Sequence, residues 1–315
     1  MRIVFLGTPD FAVASLRALV AAAPARGHEV VGVVTATDKR GGRGGRRLLE
    51  SPVKRYAVAS GLPVLQPRTL KGPRFLAALR AWRADLQVVV AFRMLPRAVW
   101  GMPPLGTVNV HGSLLPAYRG AAPIHWAVIN GERETGVTVF ALRHAIDTGD
   151  VLLQRRAPIG PDETTGEVYE RLMHLGAEAL VEAVDLIGAG AVEAVPQDPA
   201  AASHAPKLFR DDCRVDWSAP AKTCHDRIRG LSPVPTAFAE YVGTEVKLLR
   251  SRLAGASSVL PEGTFVALSE GGSRGVGVVC GDGGVVELLE VKPAGKRAMT
   301  GAAWRNGLRD LPPAR

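Results

Sequence analysis

Cysteine is scarce in this sequence, and its scarcity argues against two kinds of stabilised fold. The 315 residues include only Cys213, Cys224 and Cys280, which are too few and too scattered for a disulfide framework or a zinc site. We expect three reduced thiols in a cytoplasmic protein. The seven histidines form no ligand pattern, so we predict that the chain uses no metal.

Long apolar runs are missing as well. No uninterrupted stretch reaches the roughly 18–20 apolar residues that a membrane-spanning helix needs, and we therefore expect no membrane partner. The N-terminal sequence MRIVFLGTPD is typical of a buried strand and lacks the regions of a signal peptide. The formal net charge of +9 favours an anionic partner, although charge alone identifies none.

The residue pattern of the first 188 positions predicts an α/β domain. Apolar segments rich in Val and Ile alternate with helical patterns, which is typical of an open, mostly parallel sheet. We predict strands at residues 2–7, 29–35, 86–91, 106–111 and 134–141. We predict helices at residues 10–22, from 52 to about 60 with Ser51 as N-cap, and at 165–187.

The pattern changes in the second part of the chain. Residues 189–208 are rich in Ala and Pro and lack periodicity, so we predict a linker there. Residues 209–315 are predicted to form a second domain, in which short strands broken by Gly and Pro suggest a small β-barrel. We predict a helix at 219–230 and strands at 237–242, 246–252, 263–267, 275–280 and 285–291. The length agrees with about two domains.

The densest group of chemically useful residues lies in segment 109–131. Asn109 and His111 alternate along a predicted strand and share a face at its carboxyl end, where open α/β sheets bind ligands. Asn can donate to a developing oxyanion, and His can donate or transfer a proton near neutral pH. A lone Asn-x-His is more often a strand end with satisfied polar groups. Here Gly112 and Pro116 shape the following loop, which favours a site.

A second polar cluster, Asp147-Thr148-Gly149-Asp150, follows the strand predicted at 134–141. Taken alone, such a sequence is more often a simple turn. We expect it to lie at the carboxyl edge of the sheet, because it again follows a strand end. An Asp placed there beside His111 would complete an acid–base pair.

These segments resemble the formyltransferase family that uses 10-formyltetrahydrofolate. The likeness lies in Asn-x-His at 109–111, in SLLPAYRGAAPI at 113–124 and in the Asp of segment 146–150. The run SLLPAYRGAAPI is closer to the family members that act on tRNA than to those of purine synthesis, and VKPAGKRAM at 291–299 agrees. The resemblance implies a Rossmann-like formyltransferase domain and an oligonucleotide-binding-type C-terminal barrel. It also implies transfer of the formyl group of 10-formyltetrahydrofolate to the amino group of methionine on initiator methionyl-tRNA, for translation initiation.

The same resemblance assigns roles to individual residues. The implied catalytic residues are Asn109, His111 and Asp147. The implied folate contacts are Ser113, Leu114, Leu115 and Pro116, with Arg93, Met94 and Leu95 around the pterin ring. Near that ring the family more often has a small residue in place of Arg93, and Gly-Leu in place of Ala145-Ile146. Asn109 and His111 would stabilise charge on the formyl oxygen, and Asp147 would position His111 and assist proton transfer.

Segment 38–55 is strongly basic. It holds seven Lys or Arg against two acids, a balance of +5 that exceeds half of the net charge. A solvated loop is the ordinary interpretation, but flexible basic segments also fold on RNA, and the resemblance implies that this loop grips the acceptor stem. The predicted tRNA-binding residues are Arg40, Arg43, Arg46 and Arg47 here, with Lys207, Lys296 and Arg297 in the second domain. We expect a monomer without an obligate protein partner.

Two alternatives remain open at this point. A formyl hydrolase, or a transferase acting on a small amine, would share the catalytic motif but would have no use for the basic loop and the PAGKRAM segment. A nucleic-acid-binding protein without catalysis would leave Asn109, His111 and Asp147 unexplained. Assays with charged tRNA and with small acceptors separate the first alternative, and replacement of those three residues separates the second.

Overall fold

The structure is a computed structural model that describes residues 1–41, 47–270, 273–308 and 310–314. The helices are α1 (Asp10–Ala22), α2 (Pro52–Ala59), α3 (Pro73–Ala81), α4 (Arg97–Trp100), α5 (Pro123–Ile129), α6 (Thr165–Gly188), α7 (Ala221–Gly230) and α8 (Gly301–Arg305). The strands up to position 158 are β1 (Arg2–Gly7), β2 (Glu29–Val34), β3 (Lys39–Gly41), β4 (Arg47–Leu49), β5 (Val64–Leu65), β6 (Leu86–Val90), β7 (Thr107–His111), β8 (Arg119–Gly120), β9 (Glu134–Ala141) and β10 (Val151–Pro158). The later strands are β11 (His204–Ala205), β12 (Ala237–Tyr241), β13 (Thr244–Ser257), β14 (Phe265–Glu270), β15 (Ser273–Val279), β16 (Gly284–Pro293) and β17 (Met299–Thr300).

The chain divides into two compact units that interleave along the sequence. The first unit comprises Met1–Gly120, Gly136–Ala157 and Glu170–His204, and the second comprises Ala121–Thr135, Pro158–Tyr169 and Ala205–Arg315. The division into residues 1–188, a linker at 189–208 and residues 209–315 stays a prediction.

A seven-stranded sheet in the order β10-β9-β7-β6-β1-β2-β5 forms the centre of the first unit. The pairs β1–β2, β1–β6, β2–β5 and β6–β7 are parallel, which confirms the predicted mostly parallel α/β fold. β6 is buried along its whole length, and β1 is buried after its first residue. Their nearly uniform apolar sequences are those of strands covered on both faces.

β9 reverses the direction of the sheet beside the candidate site. It pairs antiparallel with β7, so that His111 lies opposite Thr138 and Val108 lies opposite Ala141. The carboxyl end of β9 is therefore next to the beginning of β7, and not next to His111. The expectation that Asp147 follows a strand end at the shared carboxyl edge was wrong. The loop between β9 and β10 instead has to return along the sheet to reach His111.

The segment predicted as a linker has defined structure where it belongs to the first unit. Val195 forms an isolated bridge with Val151, and a short 3-10 turn at Pro199–Ala201 is capped by Asp198, whose carboxylate accepts from Ala200 N. The absence of sequence periodicity is explained by these local contacts, because none of them requires a repeating apolar pattern.

The second unit is built on strands, as predicted for this part of the chain, and the structure shows that they pair antiparallel. Its main sheet has the order β12-β13-β16-β15-β14, with β17 added to β16. β13 is longer than predicted and passes three register shifts against β16, which bend it. The core of the second unit includes Ile228, Leu231, Val276 and Val286, each of which is completely buried. None of the helices within the described ranges is long and apolar enough to cross a membrane.

Candidate active site

The end of β7 presents Asn109 and His111 on one face of the strand. His111 is buried, with only 6% of its surface exposed. The side-chain oxygen Oδ1 of Asn109 is buried as well and has no hydrogen-bond partner among the described residues. A buried acceptor without a partner costs free energy, so Oδ1 of Asn109 does not stabilise the fold and is available to a donor group of a ligand.

The hydrogen bonds of His111 distinguish its two ring nitrogens. Nε2 lies 2.9 Å from the carbonyl oxygen of Tyr118 and must donate to it, because a carbonyl only accepts. Nδ1 lies 3.7 Å from Oδ2 of Asp147, which is close enough for charge interaction but long for a direct hydrogen bond. Phe140 packs edge-on against the ring, with centroids 6.5 Å apart. The ring is thus fixed, and Nδ1 is the nitrogen that faces the acid.

Asp147 is held in an unusual backbone conformation. Its φ of 52° lies in the left-handed region, which Asp tolerates better than most residues. Its Oδ2 accepts from the backbone N–H of Gly120 at 2.9 Å. Two residues later, a Cβ on Gly149 would lie 1.5 Å from the carbonyl oxygen of Ala141, so only glycine fits there. These contacts explain how a loop leaving the far end of β9 brings a carboxylate back to His111.

Sequence reasoning missed two polar residues that contact this site from segment 189–203. Gln197 donates from Nε2 to the carbonyl oxygens of Asp147 (2.9 Å) and Gly149 (2.7 Å). Ser203 accepts at Oγ from Tyr118 N (2.8 Å). Neither residue belongs to a motif, and each is distant in sequence from its partner, so no local signal could identify them.

The loop that follows His111 is shaped by buried polar contacts. Ser113 is fully buried and donates from Oγ to Ala117 O, while Thr138 Oγ1 donates to Ser113 O and accepts from Leu115 N. Gln154 donates to Leu115 O at 2.8 Å. All four residues predicted to contact folate in this loop are buried or half-buried: Ser113, Leu114, Leu115 and Pro116.

The other predicted folate residues lie after β6, the strand next to β7. Arg93 is held by two backbone carbonyls, those of Pro67 and Arg68, and its guanidinium lies over the ring of Phe92. Met94 is 70% exposed, whereas Leu95 is buried in the core of the first unit. Because β6 and β7 are parallel, this loop and the loop after His111 leave the same edge of the sheet.

The basic segment forms a short hairpin of β3 and β4, in which Arg40 pairs with Leu48. Arg40 and Arg47 are exposed, and Arg43 and Arg46 lie outside the described residues. Lys54 is committed to ion pairs with Asp38 (2.5 Å) and Glu50 (2.8 Å). Hydrogen bonding to Asp38 raises the pKa of Lys54 above its ordinary value, and the same bond lowers that of Asp38. Lys54 is therefore not free to contact a ligand.

The remaining predicted tRNA-binding residues, Lys207, Lys296 and Arg297, are exposed and belong to the second unit. The ammonium of Lys207 lies 5.3 Å from the ring centre of Phe209, which is itself 63% exposed. No group of three or more His, Cys, Asp or Glu in the described ranges is arranged to hold a metal ion.

Comparison with known proteins identifies the family. The family model for formyl transferase matches residues 1–184, and the model for the formyl transferase C-terminal domain matches residues 207–309. The chain belongs to the formyl transferase family. The methionyl-tRNA formyltransferase of Parabacteroides distasonis is 48% identical to this formyl transferase over 99% of the chain and 97% of the relative. That of Moorella thermoacetica is 45% identical, over 99% and 98%.

Solved structures share the fold of this formyl transferase at low sequence identity. The sugar 3N-formyl transferase WlaRD, in the presence of dTDP and 5-N-formyl-THF, matches with a TM-score of 0.67 at 17% identity and covers 94% of this chain and 99% of its own. HypX from Aquifex aeolicus, in complex with tetrahydrofolic acid, matches with a TM-score of 0.65 at 21% identity and covers 99% of this chain. The formyl transferase spans 48% of the length of HypX.

Proposed function

We propose that this formyl transferase moves the formyl group of 10-formyltetrahydrofolate onto the amino group of methionine carried by initiator methionyl-tRNA, in translation initiation. The observation that carries the proposal is full-length likeness, at 48% identity, to proteins named methionyl-tRNA formyltransferase. The geometry of Asn109, His111 and Asp147 supports it. We place the enzyme in the cytoplasm and expect it to act as a monomer.

The carboxyl edge of β6 and β7 fits a folate co-substrate. The unpartnered amide oxygen of Asn109 leaves a buried polar group for a ligand, and the loop after His111 is held by a hydrogen bond within the loop and by one from Thr138 of β9. HypX and WlaRD, which share this fold, were crystallised with folates. When bound, the folate supplies the formyl carbon that the methionine amine attacks. Residues Ser113–Pro116 and Arg93–Leu95 are its proposed contacts.

Each of the three proposed catalytic residues has a role that follows from the chemistry of its side chain. The amide NH₂ of Asn109 donates to the formyl oxygen as negative charge develops there, which is the role of an oxyanion donor. The attacking amine has to lose a proton, and the leaving nitrogen of the folate has to gain one. His111 Nδ1 and Asp147 Oδ2, 3.7 Å apart, form the pair that holds and moves this proton. Nε2 takes no part, because it is engaged by Tyr118 O.

Exposed cations are the proposed contacts of the tRNA. Arg40 and Arg47 extend from the hairpin after β2, a strand parallel to β1 and therefore ending at the same edge of the sheet as β6 and β7. Arg43 and Arg46 continue the same basic run in the sequence. In the second unit Lys207, Lys296 and Arg297 would contact phosphates. Residues 1–188 would thus carry the chemistry and residues 209–315 would assist tRNA binding, with residues 189–208 between them.

A formyl-transfer assay tests the proposal directly. The purified chain is incubated with 10-formyltetrahydrofolate and, separately, initiator methionyl-tRNA, free methionine, a sugar amine or no acceptor. We expect formylmethionyl-tRNA to form, with little product from the small amines. Rapid formylation of a small amine, or release of formate at the same rate without acceptor, would instead identify the related transferase or hydrolase.

A further inference from the structure

We infer that Gln197 is a positioning residue for Asp147, and that with Ser203 it makes segment 197–203 a brace for the catalytic pair. The inference rests on the proposed function, because it assigns Asp147 a part in formyl transfer. The brace lies entirely within the first unit.

The amide of Gln197 is fully used, and its orientation is unambiguous. Nε2 donates to two carbonyl oxygens, of Asp147 and of Gly149, which only accept. Oε1 accepts from Nε (3.1 Å) and Nη2 (2.6 Å) of Arg119, whose guanidinium only donates. A flipped amide would oppose all four contacts. Gln197 therefore joins the loop that carries Asp147 to the loop that carries Arg119.

The contacts that Gln197 makes through Nε2 lie in the loop that carries Asp147, at the backbone of Asp147 itself and of Gly149. Asp147 has a left-handed backbone, which Asp adopts more readily than most residues but still at a cost in free energy. Its carboxylate reaches His111 at 3.7 Å while also accepting from Gly120 N. Gln197 binds the carbonyl of the same residue and of Gly149. The loop is thus restrained at its backbone from one side and at its carboxylate from the other.

Ser203 acts on the histidine side of the pair in a comparable way. Its Oγ accepts from Tyr118 N, its backbone oxygen accepts from Arg119 N at 2.9 Å, and the carbonyl of Tyr118 is the acceptor for His111 Nε2. Tyr118 has a φ of 61°, again in the left-handed region. The two polar residues of one short segment therefore hold the backbone next to each member of the pair.

A pair of substitutions separates positioning from mere support of the segment. Gln197→Ala removes every side-chain contact. Gln197→Glu keeps the size of the side chain and its bond with Arg119, but its carboxylate cannot donate to the two carbonyls. If Gln197 positions Asp147, both variants lose about 10- to 100-fold in kcat for formyl transfer to methionyl-tRNA, with KM for tRNA and folate changed less than about twofold. Normal kcat in Gln197→Glu would overturn the inference.

A matched control and a second readout keep the test independent of catalysis. Glu193→Ala changes an exposed residue that precedes the brace in the same part of the chain, and its kcat should match that of the parent. Hydrogen exchange measured by mass spectrometry should speed up by about tenfold in residues 142–150 of both Gln197 variants, and not in Glu193→Ala. Unchanged exchange in that loop would also count against the brace.

The two proposals fail in different ways. A parent chain that does not formylate methionyl-tRNA would refute the proposed function, while the exchange experiment would still report whether Gln197 restrains the loop. An active parent with unaffected Gln197 variants would refute only the brace.

Discussion

Asn109 contributes a polar group that the folded chain leaves unsatisfied. Its buried Oδ1 makes no hydrogen bond to the described residues, so removal of the side chain breaks no stabilising contact through that atom. We predict that Asn109→Ala lowers the single-turnover rate of formyl transfer by on the order of 10²–10³, the loss expected for one oxyanion donor. The urea midpoint should stay close to that of the parent. Near-normal turnover would show that the amide has no such role.

His111 and Asp147 should behave as one unit. Asp147→Asn is the informative change, because Asn tolerates a left-handed backbone as Asp does, and the substitution keeps the size of the side chain while it removes the charge and replaces one acceptor oxygen by a donor. We predict that His111→Ala and Asp147→Asn each reduce turnover severely, and that the double variant is little worse than either single one. Single-turnover rates of the three variants decide this. Independent, multiplicative losses would mean that the 3.7 Å contact is not a functional pair.

At the level of secondary structure, the sequence predicts most readily the strands whose residues are nearly all apolar. The predicted bounds of β1 and β6 agree with the observed ones to within a residue, because nearly every buried position is apolar, with Gln87 as the exception. The pattern does not predict β10, since Gln154, Arg155 and Arg156 interrupt its apolar run. The sequence of one strand does not show whether it pairs parallel or antiparallel with its neighbour. The antiparallel pairing of β9 with β7 could therefore not be inferred.

The candidate site also contains residues that could be predicted from the sequence and residues that could not. The sequence could predict that Asn109, His111 and Asp147 belong to one candidate site, because a recognisable motif carries them, and their catalytic roles stay a prediction. Gln197 could not be predicted, because it acts on backbone carbonyls 50 and 48 residues away and any residue with a suitably placed donor could do the same. A segment without periodicity is interpreted as a linker, yet hydrogen bonds from single side chains give it a defined position.

The hairpin of β3 and β4 provides an element-level prediction. Arg40 and Arg47 are exposed, while Lys54 in the same segment is committed to acids. We predict that Arg40→Ala with Arg47→Ala weakens tRNA binding and lowers the slope of log affinity against log salt by roughly 0.7–0.9 for each phosphate that the variant no longer neutralises. Folate affinity should stay unchanged.

The control for the hairpin is an equal change of charge elsewhere. Arg74→Ala with Arg80→Ala removes two exposed arginines from α3 and should leave the salt slope as in the parent. If both double variants shift the slope equally, the tRNA responds to the overall charge of +9 and not to the hairpin.

At the scale of the whole molecule, stability should depend on pH through two histidines of the second unit. His225 is 1% exposed, with Nδ1 2.9 Å from Ser251 Oγ and Nε2 3.1 Å from Pro161 O. Burial lowers the pKa of His225 below its ordinary value of 6.5, although Asp162 lies 3.3 Å from Nε2. Burial also lowers the pKa of His125, whose Nε2 donates to Val234 O. Folding therefore disfavours protonation of both rings.

The sign of the effect follows from linkage. A histidine whose pKa is lower in the folded than in the unfolded state contributes stability above about pH 6.5, and that stability is lost as the pH falls through the folded-state value. In that window the unfolded chain binds more protons, so each histidine lowers the free energy of unfolding by at most about 1.4 kcal/mol per pH unit.

We predict that the urea midpoint is steady from pH 8 to about 7 and falls below about 6.5. His225→Gln, which keeps a donor for Pro161 O but cannot titrate, should flatten the fall, while His174→Gln, which replaces an exposed histidine of α6, serves as the matched control. A fall of the same steepness in His225→Gln and in the parent would show that acid sensitivity arises elsewhere in the molecule.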